Sequence, residues 1–489
     1  MNSIELAKYR PAWHFSPKEN WMNDPNGLVY FEGEYHLFYQ YHPYGTTWGP
    51  MHWGHAVSTD LIHWEELDIA LHPDDNGTIF SGSAVIDWDN TTGFFPNKPG
   101  IVAIFTSHKD GIHGGPVVQA QSLAYSHDQG RSWTKYDGNP VLRSEDKVDF
   151  RDPKVFWHPP TEQWIMALAT GQTITFFISS DLKEWTLASE FGDGIGIHDG
   201  VWECPDLFPL TIEGTNTTKW VLLVSVGDNP ELESGSLTQY FIGSFDGITF
   251  RPDDEIVRIL DHGRDNYAGV SFSDIPEQDG RRIYLGWMSN WRYANQVPTS
   301  GWRGAMTIPR VLGLKQVNDE TILVQRPVEE ADSFFSQIHV TSTDLEIMDG
   351  TPKEFTWGLH ALDLNVKFDM GSAHLLELII KHADQQQSTI TYSATDGTFT
   401  LDRRGSGQIA FSEMFAKPQS VTIIPRDSLE LRLMLDTGSM ELFMNGGEHA
   451  LTSLLFPEGI CEKITIQATG GSVNIRKLTL SAPENKSII

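Results

Sequence analysis

Short stretches in which hydrophobic and polar residues alternate cover most of the chain, and no long segment has the 3.6-residue period of an amphipathic helix. Residues 28–30 and 35–39 predict two strands joined by a turn at residues 32–34. The same kind of pattern predicts strands at residues 102–106, 164–169, 173–179, 220–226 and 283–287. The predicted fold class is therefore all-β.

A short motif recurs four times in the first 300 residues. Each copy reads as the end of a strand, a polar turn that contains Asp, and an aromatic residue that begins the next strand: Trp64, Trp133, Trp185 and Phe250. The steps between these aromatics are 69, 52 and 65 residues. A unit that recurs at such a length is typical of β-propeller blades, and four copies with unmatched ends predict roughly four to six blades. The alternative is a chance similarity of Asp-containing turns.

The pattern changes after residue 325. Strict alternation at residues 361–368 and 429–435, then a turn at 436–439 that leads into 440–444, predicts the half-buried antiparallel strands of a β-sandwich. We therefore divide the chain into a propeller at residues 1–325, a linker at 326–340 and a sandwich at 341–489. The second unit contains no cluster of candidate catalytic residues, so we expect it to be structural or to shape a cleft.

Charge narrows the class of ligand. The chain of 489 residues has a net charge of −30 and a sequence pI of about 4.8, which disfavours nucleic acid and anionic membranes and suits a neutral polar substrate. Its two cysteines, Cys204 and Cys461, suggest neither a disulfide framework nor a zinc motif. The first ten residues have no apolar signal core, so we expect a cytoplasmic protein, or a secreted one whose signal peptide has been removed.

Three acidic residues stand in unusual local sequences. Asp24 lies in Trp-Met-Asn-Asp-Pro-Asn-Gly at residues 21–27, which predicts a turn: a surface Asx turn, or a turn that presents a catalytic carboxylate. Asp152 follows Arg151, whose guanidinium should keep it ionised. Glu203 lies between Trp202 and Cys204, and apolar surroundings would raise its pKa and suit it to general acid catalysis.

Each of these carboxyls is followed within two residues by Pro, and each could cap the inner strand of a different blade, where residues distant in sequence meet. That arrangement would supply two carboxyls for glycoside chemistry and a third to stabilise charge. The structural alternatives are an Arg-Asp pair for Asp152 and a rim position for Glu203. A Ca²⁺ or Mg²⁺ site is a further alternative, but no EF-hand spacing is present.

Other chemistries lack their sequence signals. No G-x-S-x-G elbow, P-loop, G-x-G-x-x-G fingerprint or H-E-x-x-H motif occurs, so serine hydrolysis, phosphoryl transfer, dinucleotide chemistry and zinc hydrolysis are disfavoured. His52, His55 and His198 match no metal pattern and are interpreted as polar or packing residues. We predict no cofactor and no metal.

The three acidic motifs together resemble glycoside hydrolase family 32, the family of invertases, exo-inulinases, levanases and related fructosyltransferases. The resemblance continues through residues 38–41, 48–55, 80–83, 265–268, 286–291, 301–304 and 436–443, and so covers essentially the whole chain. It implies a five-bladed β-propeller with a funnel-shaped site, followed by a β-sandwich, and a retaining double displacement on fructofuranosyl substrates: fructans such as levan and inulin, fructooligosaccharides, and sucrose.

Carried over by motif, the resemblance gives each acid a role. Asp24 resembles the nucleophile, Glu203 the acid/base and Asp152 the transition-state stabiliser. The retaining pair should lie about 5–5.5 Å apart. The residues implied to line the fructose pocket are Asn23, Gln40, Trp48, Ser81, Arg151, Tyr267 and Trp287.

Two departures from the family pattern are His42, where many relatives carry Asn, and Asn266, where Phe is common. We expect both to affect substrate selection beyond the first sugar. Residues 286–298 look most like those of exo-acting fructan-cleaving enzymes, which we favour over a sucrose-only invertase. A fructosyltransferase, a catalytically inactive fructan-binding protein and an arabinan-cleaving propeller enzyme remain as alternatives.

Overall fold

The computed structural model describes residues 8–110 and 117–484, and it is nearly all-β, which confirms the predicted fold class. The predicted strands are present; for example, residues 28–30 and 35–39 lie in two paired strands, Asn20–Phe31 and Glu34–His42. Helices in the described residues are short: α1 (Glu330–Phe334), α2 (Glu413–Ala416) and three 3₁₀ turns at Pro159–Thr161, Ala294–Gln296 and Ala383–Gln385. No described helix has the length and apolar character needed to cross a membrane.

The first half of the described chain forms five antiparallel sheets in chain order. The first contains β1 (Asn20–Phe31), β2 (Glu34–His42), β3 (His52–Ser58) and β4 (Glu65–Glu66). The second contains β5 (Thr78–Ile86), β6 (Ile101–Lys109), β7 (Val118–Ser126), β8 (Thr134–Lys135) and β9 (Leu142–Arg143). The third contains β10 (Arg151–His158), β11 (Gln163–Ala169), β12 (Ile174–Ser179) and β13 (Thr186–Phe191).

The remaining two sheets complete this unit. The fourth contains β14 (Trp202–Thr211), β15 (Thr218–Val226), β16 (Leu237–Phe245), β17 (Phe250–Pro252) and β18 (Arg258–Ile259). The fifth contains β19 (Tyr267–Ser271), β20 (Arg282–Trp287), β22 (Arg310–Val317) and β23 (Glu320–Pro327). The short strand β21 (Trp302–Arg303) lies between β20 and β22 in sequence but belongs to the first sheet, where it pairs in parallel with β1.

The first strand of each sheet is tied to the next by hydrogen bonds, and the ties close into a ring. Ser81 of β5 donates to Asp24 of β1, and the main-chain N–H of Val155 in β10 donates to Ser83 of β5. The ring continues from β10 to β14 and from β14 to β19. It ends where Tyr30 N donates to the carbonyl of Ser273, just after β19. Hydrophobic clusters fill the spaces between consecutive sheets.

The repeated motif is a shared turn between the third and fourth strands of four of these sheets. In three copies the indole N–H of the closing tryptophan donates to the carbonyl three residues earlier: Trp64 to Leu61, Trp133 to Gly130 and Trp185 to Leu182. Asp residues accept main-chain N–H groups within the same turns. The motif therefore marks a true structural repeat, and the similarity is not chance.

The second half forms two six-stranded sheets packed face to face around one hydrophobic cluster. One sheet contains β24 (Gln337–Met348), β26 (Leu362–Asp369), β31 (Leu429–Asp436), β32 (Ser439–Met444), β33 (His449–Leu454) and β35 (Ser472–Ala482). The other contains β25 (Lys353–Leu359), β27 (Leu375–His382), β28 (Gln387–Ser393), β29 (Thr398–Asp402), β30 (Gln419–Thr422) and β34 (Cys461–Thr469). The alternation that predicted these strands is visible in their burial; in β31 buried leucines alternate with more exposed residues at its start.

A buried charged interface joins the two halves. Arg310 of β22 lies 2.9 Å from Asp261 and also contacts Glu441 of β32, and all three side chains are inaccessible to solvent. Arg403 pairs with Asp265 at 2.7 Å. Because burying one partner of such a pair without the other is costly, this network fixes how the halves dock.

Candidate active site

The candidate site residues lie where the first strands of the five sheets carry β-bulges. Pairing shifts register between Met22 and Pro25 in β1, and corresponding shifts occur in β5, β10, β14 and β19. A bulge bends a strand and turns a side chain away from the regular alternation. The residues at or beside these shifts are Asp24, Ser81, Asp152, Glu203 and Tyr267.

The predicted turn at residues 21–27 is wrong, because the whole segment belongs to β1. Pro25 is tolerated there since a bulge interrupts the ladder. Gly27 has a left-handed φ of 57°, and a Cβ atom at this position would lie 2.7 Å from the ring of Phe38. Asp152 and Cys204 also adopt positive φ values, 63° and 45°. The carboxylates are therefore presented by distorted strands rather than by loops.

A pocket of about 170 Å³ opens over these bulges. The structure brings together in its lining eight of the predicted residues: Asn23, Asp24, Gln40, Trp48, Ser81, Arg151, Asp152 and Glu203. Two further residues, Phe80 and Trp291, complete the lining and were not predicted. Both occur within motifs that carry the family resemblance, so an aromatic residue inside a matched motif was the available signal.

Asp24 is held by two side-chain donors. Asn23 Nδ2 donates to Oδ1 at 2.9 Å, and Ser81 Oγ donates to Oδ2 at 3.0 Å. The indole N–H of Trp21 in turn donates to Asn23 Oδ1 at 2.8 Å, which fixes the direction of the amide. Burial and the nearby Glu203 raise the pKa of Asp24 to about 6, while the two donors oppose that rise. Asp24 is thus predominantly ionised at neutral pH.

Asp152 lies beside Cys204. The main-chain N–H of Cys204 donates to Asp152 Oδ2 at 3.1 Å, and the Sγ atom lies 3.6 Å from the same oxygen and 3.7 Å from Asp24 Oδ2. Burial, followed by the surrounding carboxyls, raises the pKa of the Cys204 thiol well above its usual range. The thiol therefore stays protonated and acts as a weak donor between the two aspartates.

The expectation that Arg151 keeps Asp152 ionised is wrong. The guanidinium is 3.9 Å from Asp152 but 2.9 Å from Glu203. Arg151 does lower the pKa of Asp152, but burial is the larger effect and, with the charges of Glu203 and Asp24, it raises the pKa above the ordinary value. The sequence neighbour alone does not predict this balance, because the burial and the charges of Glu203 and Asp24 arise in the folded protein.

The apolar environment expected for Glu203 is also wrong. Its Oε1 atom accepts a hydrogen bond from Arg151, and its Oε2 atom accepts one from the hydroxyl of Tyr267. The side chain remains 22% exposed and is part of the lining of the pocket. Glu203 is thus oriented by a cation and a phenol while staying accessible to solvent protons.

Two predicted pocket residues do not line the pocket. Tyr267 is buried and acts through its hydroxyl on Glu203. Trp287 is 1% exposed, and its ring packs 4.8 Å from Trp291 and 6.0 Å from Trp21. Trp291 rather than Trp287 supplies the aromatic wall, with Trp287 as its support.

The walls of the pocket are held to one another. The main-chain N–H of Trp48, whose side chain is exposed, donates to Asn295 Oδ1 at 3.1 Å. Phe80 stacks on His108 with 4.1 Å between ring centroids. Gln40 donates to the carbonyl of Ile79 at 3.0 Å, which anchors the strand segment that leads to Phe80 and Ser81.

The two departures from the family pattern lie outside this pocket. His42 Nδ1 donates to the carbonyl of Thr47 at 2.8 Å and so supports the loop that carries Trp48. Asn266 is buried, donates to Asp261 and accepts from the hydroxyl of Tyr284. Asn266 therefore lies beside the interface between the two halves, and the expectation that it affects substrate selection beyond the first sugar stays a prediction.

No group of His, Cys, Asp or Glu suited to holding a metal ion occurs in residues 8–110 and 117–484. Three carboxyls from three different sheets and one guanidinium line one small pocket instead, and the phenol of Tyr267 donates to one of these carboxyls from behind the lining. Such an arrangement suits proton transfer and nucleophilic attack at an acetal carbon.

Comparisons with known proteins agree with this chemistry. A model described as "Glycosyl hydrolases family 32 N-terminal domain" matches residues 14–327, and one described as "Glycosyl hydrolases family 32 C terminal" matches residues 329–482. The levanase of Bacillus subtilis (strain 168) is 45% identical over 486 residues, which cover 96% of this chain and 70% of the levanase. The extracellular exo-inulinase of Aspergillus niger is 38% identical, with 95% of this chain and 92% of that enzyme covered.

Solved structures are similar over nearly the whole chain. The exo-inulinase from Aspergillus awamori matches with a TM-score of 0.89 at 34% identity, and 98% of this chain and 99% of that one are covered. The beta-fructofuranosidase from Schwanniomyces occidentalis complexed with fructosyl-erythritol matches with the same TM-score at 32% identity and the same coverage.

Proposed function

The chain belongs to glycosyl hydrolase family 32, and from this premise we propose that it is a retaining β-fructofuranosidase that removes terminal fructofuranosyl units from fructans, fructooligosaccharides and sucrose. The observation that carries this proposal is the convergence of Asp24, Asp152 and Glu203 from three sheets on one pocket. The names of the relatives, levanase, exo-inulinase and beta-fructofuranosidase, supply the class of substrate.

The first step is attack by Asp24. Its carboxylate oxygen bonds to the anomeric carbon of the terminal fructose while Glu203 gives a proton to the departing glycosidic oxygen. The donors from Asn23 and Ser81 keep Asp24 ionised and aimed, and the opening beside Glu203 lets the leaving sugar depart. The product of this step is a fructosyl ester on Asp24.

In the second step Glu203, now a carboxylate, takes a proton from water. The water oxygen bonds to the anomeric carbon, the ester bond to Asp24 breaks, and fructose leaves with its original anomeric configuration. Arg151 and Tyr267 hold Glu203 in place through both steps. Asp152, fixed by the N–H of Cys204, binds fructose hydroxyls and transfers no proton.

The size of the pocket favours an exo-acting enzyme. A volume of about 170 Å³ equals the share of roughly six waters at ~30 Å³ each, which suits one sugar unit. The rest of a fructan chain would extend past Trp48 and Trp291 into solvent. The enzyme would therefore release one fructose at a time from a chain end.

The finer architecture is part of the same proposal. Five sheets whose first strands are tied into a closed ring support a five-bladed β-propeller, and the two face-to-face sheets support a β-sandwich. We place the propeller at residues 1–325, the linker at 326–340 and the sandwich at 341–489. Residues 1–7, 111–116 and 485–489 of this division lie outside the described residues.

Asp24→Ala and Glu203→Ala test the roles. Each should lower kcat on levan, inulin and sucrose by several orders of magnitude while circular dichroism and Tm stay close to wild type. Asp199→Ala, which removes an exposed carboxylate outside the pocket, is the control and should keep full activity. Near-normal activity of either variant of the pocket acids would overturn the assignment.

Product analysis at high sucrose separates hydrolysis from transfer. Free fructose and glucose in equal amounts are expected for hydrolysis. A product mixture of mainly oligosaccharides, with little free fructose, would identify sugar rather than water as the preferred acceptor. Initial rates on levan and inulin side by side then give the preferred linkage.

A further inference from the structure

A second cavity, larger than the catalytic pocket, lies at the opposite end of the first strands of the five sheets, and β5, β10 and β14 contribute to its lining. It has a volume of about 720 Å³, within the range of about 300–1,000 Å³ that small-molecule sites occupy. In β10 the catalytic pocket is lined by Arg151 and Asp152, whereas this cavity is lined by Lys154 and by residues 156–158. Trp157 lies five positions after Asp152 in this strand, or about 16 Å at ~3.3 Å per residue.

An ion pair forms the inner end of this second cavity, and its lysine is part of the lining. Lys154 Nζ is 3.2 Å from Asp206 and donates to the carbonyl of Ser271 at 2.7 Å, so it connects β10, β14 and β19 across the ring. The two cavities share no lining residue. The second cavity, which we call the rear cavity, is therefore separate from the catalytic pocket.

The rear cavity contains a guanidinium with unused donors. In the described residues, the hydrogen bonds of Arg282 go to two uncharged oxygens, Ser271 Oγ at 3.4 Å and the carbonyl of Phe272 at 3.3 Å, and its guanidinium lies 4.9 Å from the centre of the Phe208 ring. A guanidinium has five N–H donors in a fixed plane, so most of these are available to a ligand. Asp274 lies in the same lining and accepts from the indole N–H of Trp88 at 2.9 Å and from Ile86 N at 3.0 Å.

The charges favour a neutral ligand. Lys154 and Arg282 at the inner end disfavour a cation. Asp206 and Asp274 balance these two cations, and three further carboxylates, Asp87, Asp89 and Glu277, line the cavity and disfavour an anion. A neutral molecule with many hydroxyl groups could use both the donors of Arg282 and the acceptor oxygens of Asp274.

Aromatic surfaces line the same space. Trp88 is 58% exposed, and Trp157 and Trp220 are partly exposed. An exposed tryptophan that is also held by a hydrogen bond to Asp274 is a rigid apolar plane beside a polar group. Aromatic planes next to hydrogen-bonding groups match the apolar C–H faces and hydroxyl edges of a sugar.

We propose that the rear cavity is a second, non-catalytic binding site for a neutral oligosaccharide, with Trp88 and Trp220 as sugar platforms and Arg282 and Asp274 as hydroxyl partners. The identity of the sugar as a fructooligosaccharide rests on the proposed function. A fructan chain held there would stay close to the enzyme while its ends are cleaved at the catalytic pocket, which raises the local concentration of ends.

Binding is measured by isothermal titration with the short fructooligosaccharide nystose, on the Asp24→Ala protein so that the probe stays intact. Two sites are expected. Adding Trp88→Ala should weaken one site by about tenfold or more, as loss of an aromatic anchor does, and leave the other unchanged. Adding Trp48→Ala instead should weaken the other site. Ile338→Ala, an exposed apolar residue of the second half, is the control and should change neither.

A second pair of variants protects the test against misfolding. Trp220→Leu keeps an apolar side chain, and Arg282→Lys keeps the positive charge. Each should also weaken the site that Trp88→Ala weakens. In the otherwise wild-type enzyme, Trp88→Ala should leave kcat/KM on sucrose unchanged and raise KM for levan severalfold.

A single nystose site whose affinity does not change in the Trp88, Trp220 and Arg282 variants would contradict the proposal that the rear cavity binds sugar. If the wild-type enzyme still released fructose in that case, the proposed function would stand. Conversely, a protein that releases no fructose but binds nystose in a manner that depends on Trp88 would contradict the proposed function and support sugar binding in the rear cavity.

Discussion

Arg151 donates to Glu203 at 2.9 Å, although the two residues lie 52 positions apart in sequence and belong to different sheets. Burial lowers the pKa of this guanidinium, but the charges of Glu203 and Asp152 outweigh that effect, so Arg151 stays charged. Among the described residues, Arg151 is thus the one cation in the lining of a pocket that contains three carboxyls. Arg151 also donates to Asp149 outside the pocket, but within the pocket it contacts the proposed acid/base, so its removal should affect proton transfer as well as binding.

Arg151→Met should lower kcat/KM by at least about 100-fold, the usual cost of one preorganised donor. Because Arg151 lowers the pKa of Asp152, that pKa should rise further, and the acid limb of the pH profile should move to higher pH. Arg151→Lys keeps a charge and should keep the limb closer to its original position. A methionine variant with an unchanged pH profile would contradict this role.

Ser81→Ala removes a donor to Asp24 that lowers the pKa of this residue. The nucleophile must be ionised, so activity in the native enzyme should fall as pH drops through about 6. A hydrogen bond to a charged group is worth about 1.5–3 kcal/mol, so the acid limb should move up by about one pH unit or more.

Profiles of kcat/KM between pH 4 and 8 measure this shift. Ser83→Ala is the matched control, since Ser83 is two residues along the same strand and accepts from Val155 N instead of contacting Asp24. It should affect stability without moving the limb. Equal shifts in both variants would show that the change is not specific to Asp24.

Trp291→Ala should raise KM by about tenfold, because an aromatic wall of the pocket is lost, and should change kcat less. Trp287→Phe should instead lower Tm by leaving a void behind Trp291, with a smaller change in KM. Kinetics on sucrose and thermal unfolding of both variants separate the two roles. A larger rise in KM for Trp287→Phe would restore Trp287 as the contact residue.

His14 should make stability depend on pH in the alkaline range. Burial lowers the pKa of His14, but hydrogen bonds to Asp436 and Glu441, each 2.8 Å, outweigh it and raise the pKa to about 9. The folded protein therefore binds this proton more tightly than the unfolded chain. The stabilisation, about 3 kcal/mol, is complete below the ordinary pKa of 6.5 and is lost as pH rises towards 9.

Urea unfolding at pH 6, 7.5 and 9 checks this expectation. His14→Gln should lower the free energy of unfolding at pH 6 and flatten its decline above pH 7. His63→Gln is the control, because His63 pairs with Asp60 at an exposed site. A native protein equally stable at pH 6 and 9 would contradict the assignment.

Local patterns predicted the strands well, and the four-fold motif predicted a real structural repeat. Periodicity and turn chemistry depend on neighbours in sequence, so one chain contains that information. The bulges were not predicted, although the Pro after each acidic residue was their signal. At Asp24 a proline and a glycine were interpreted as a turn, whereas in the structure they distort a strand.

The electrostatic environment of each acid was predicted less well for a physical reason. The partners of Glu203 are 52 and 64 positions away, and those of Asp24 include Ser81 from the next sheet. The neighbours of these acids in sequence therefore do not identify their main partners in the folded protein. The partners of Asn266, Asp261 and Tyr284, could likewise not be predicted from its neighbours in sequence.

The parallel pairing of β1 with β21 has a consequence for biosynthesis. Asn20 and Trp21 pair with Trp302 and Arg303, so the strand that carries Asp24 is completed by residues made almost at the end of the first half. Such long-range pairing is slow to form and leaves a sheet edge open until it does. A nascent chain that stops short of Trp302 can fold individual sheets but cannot yet hold a finished catalytic pocket.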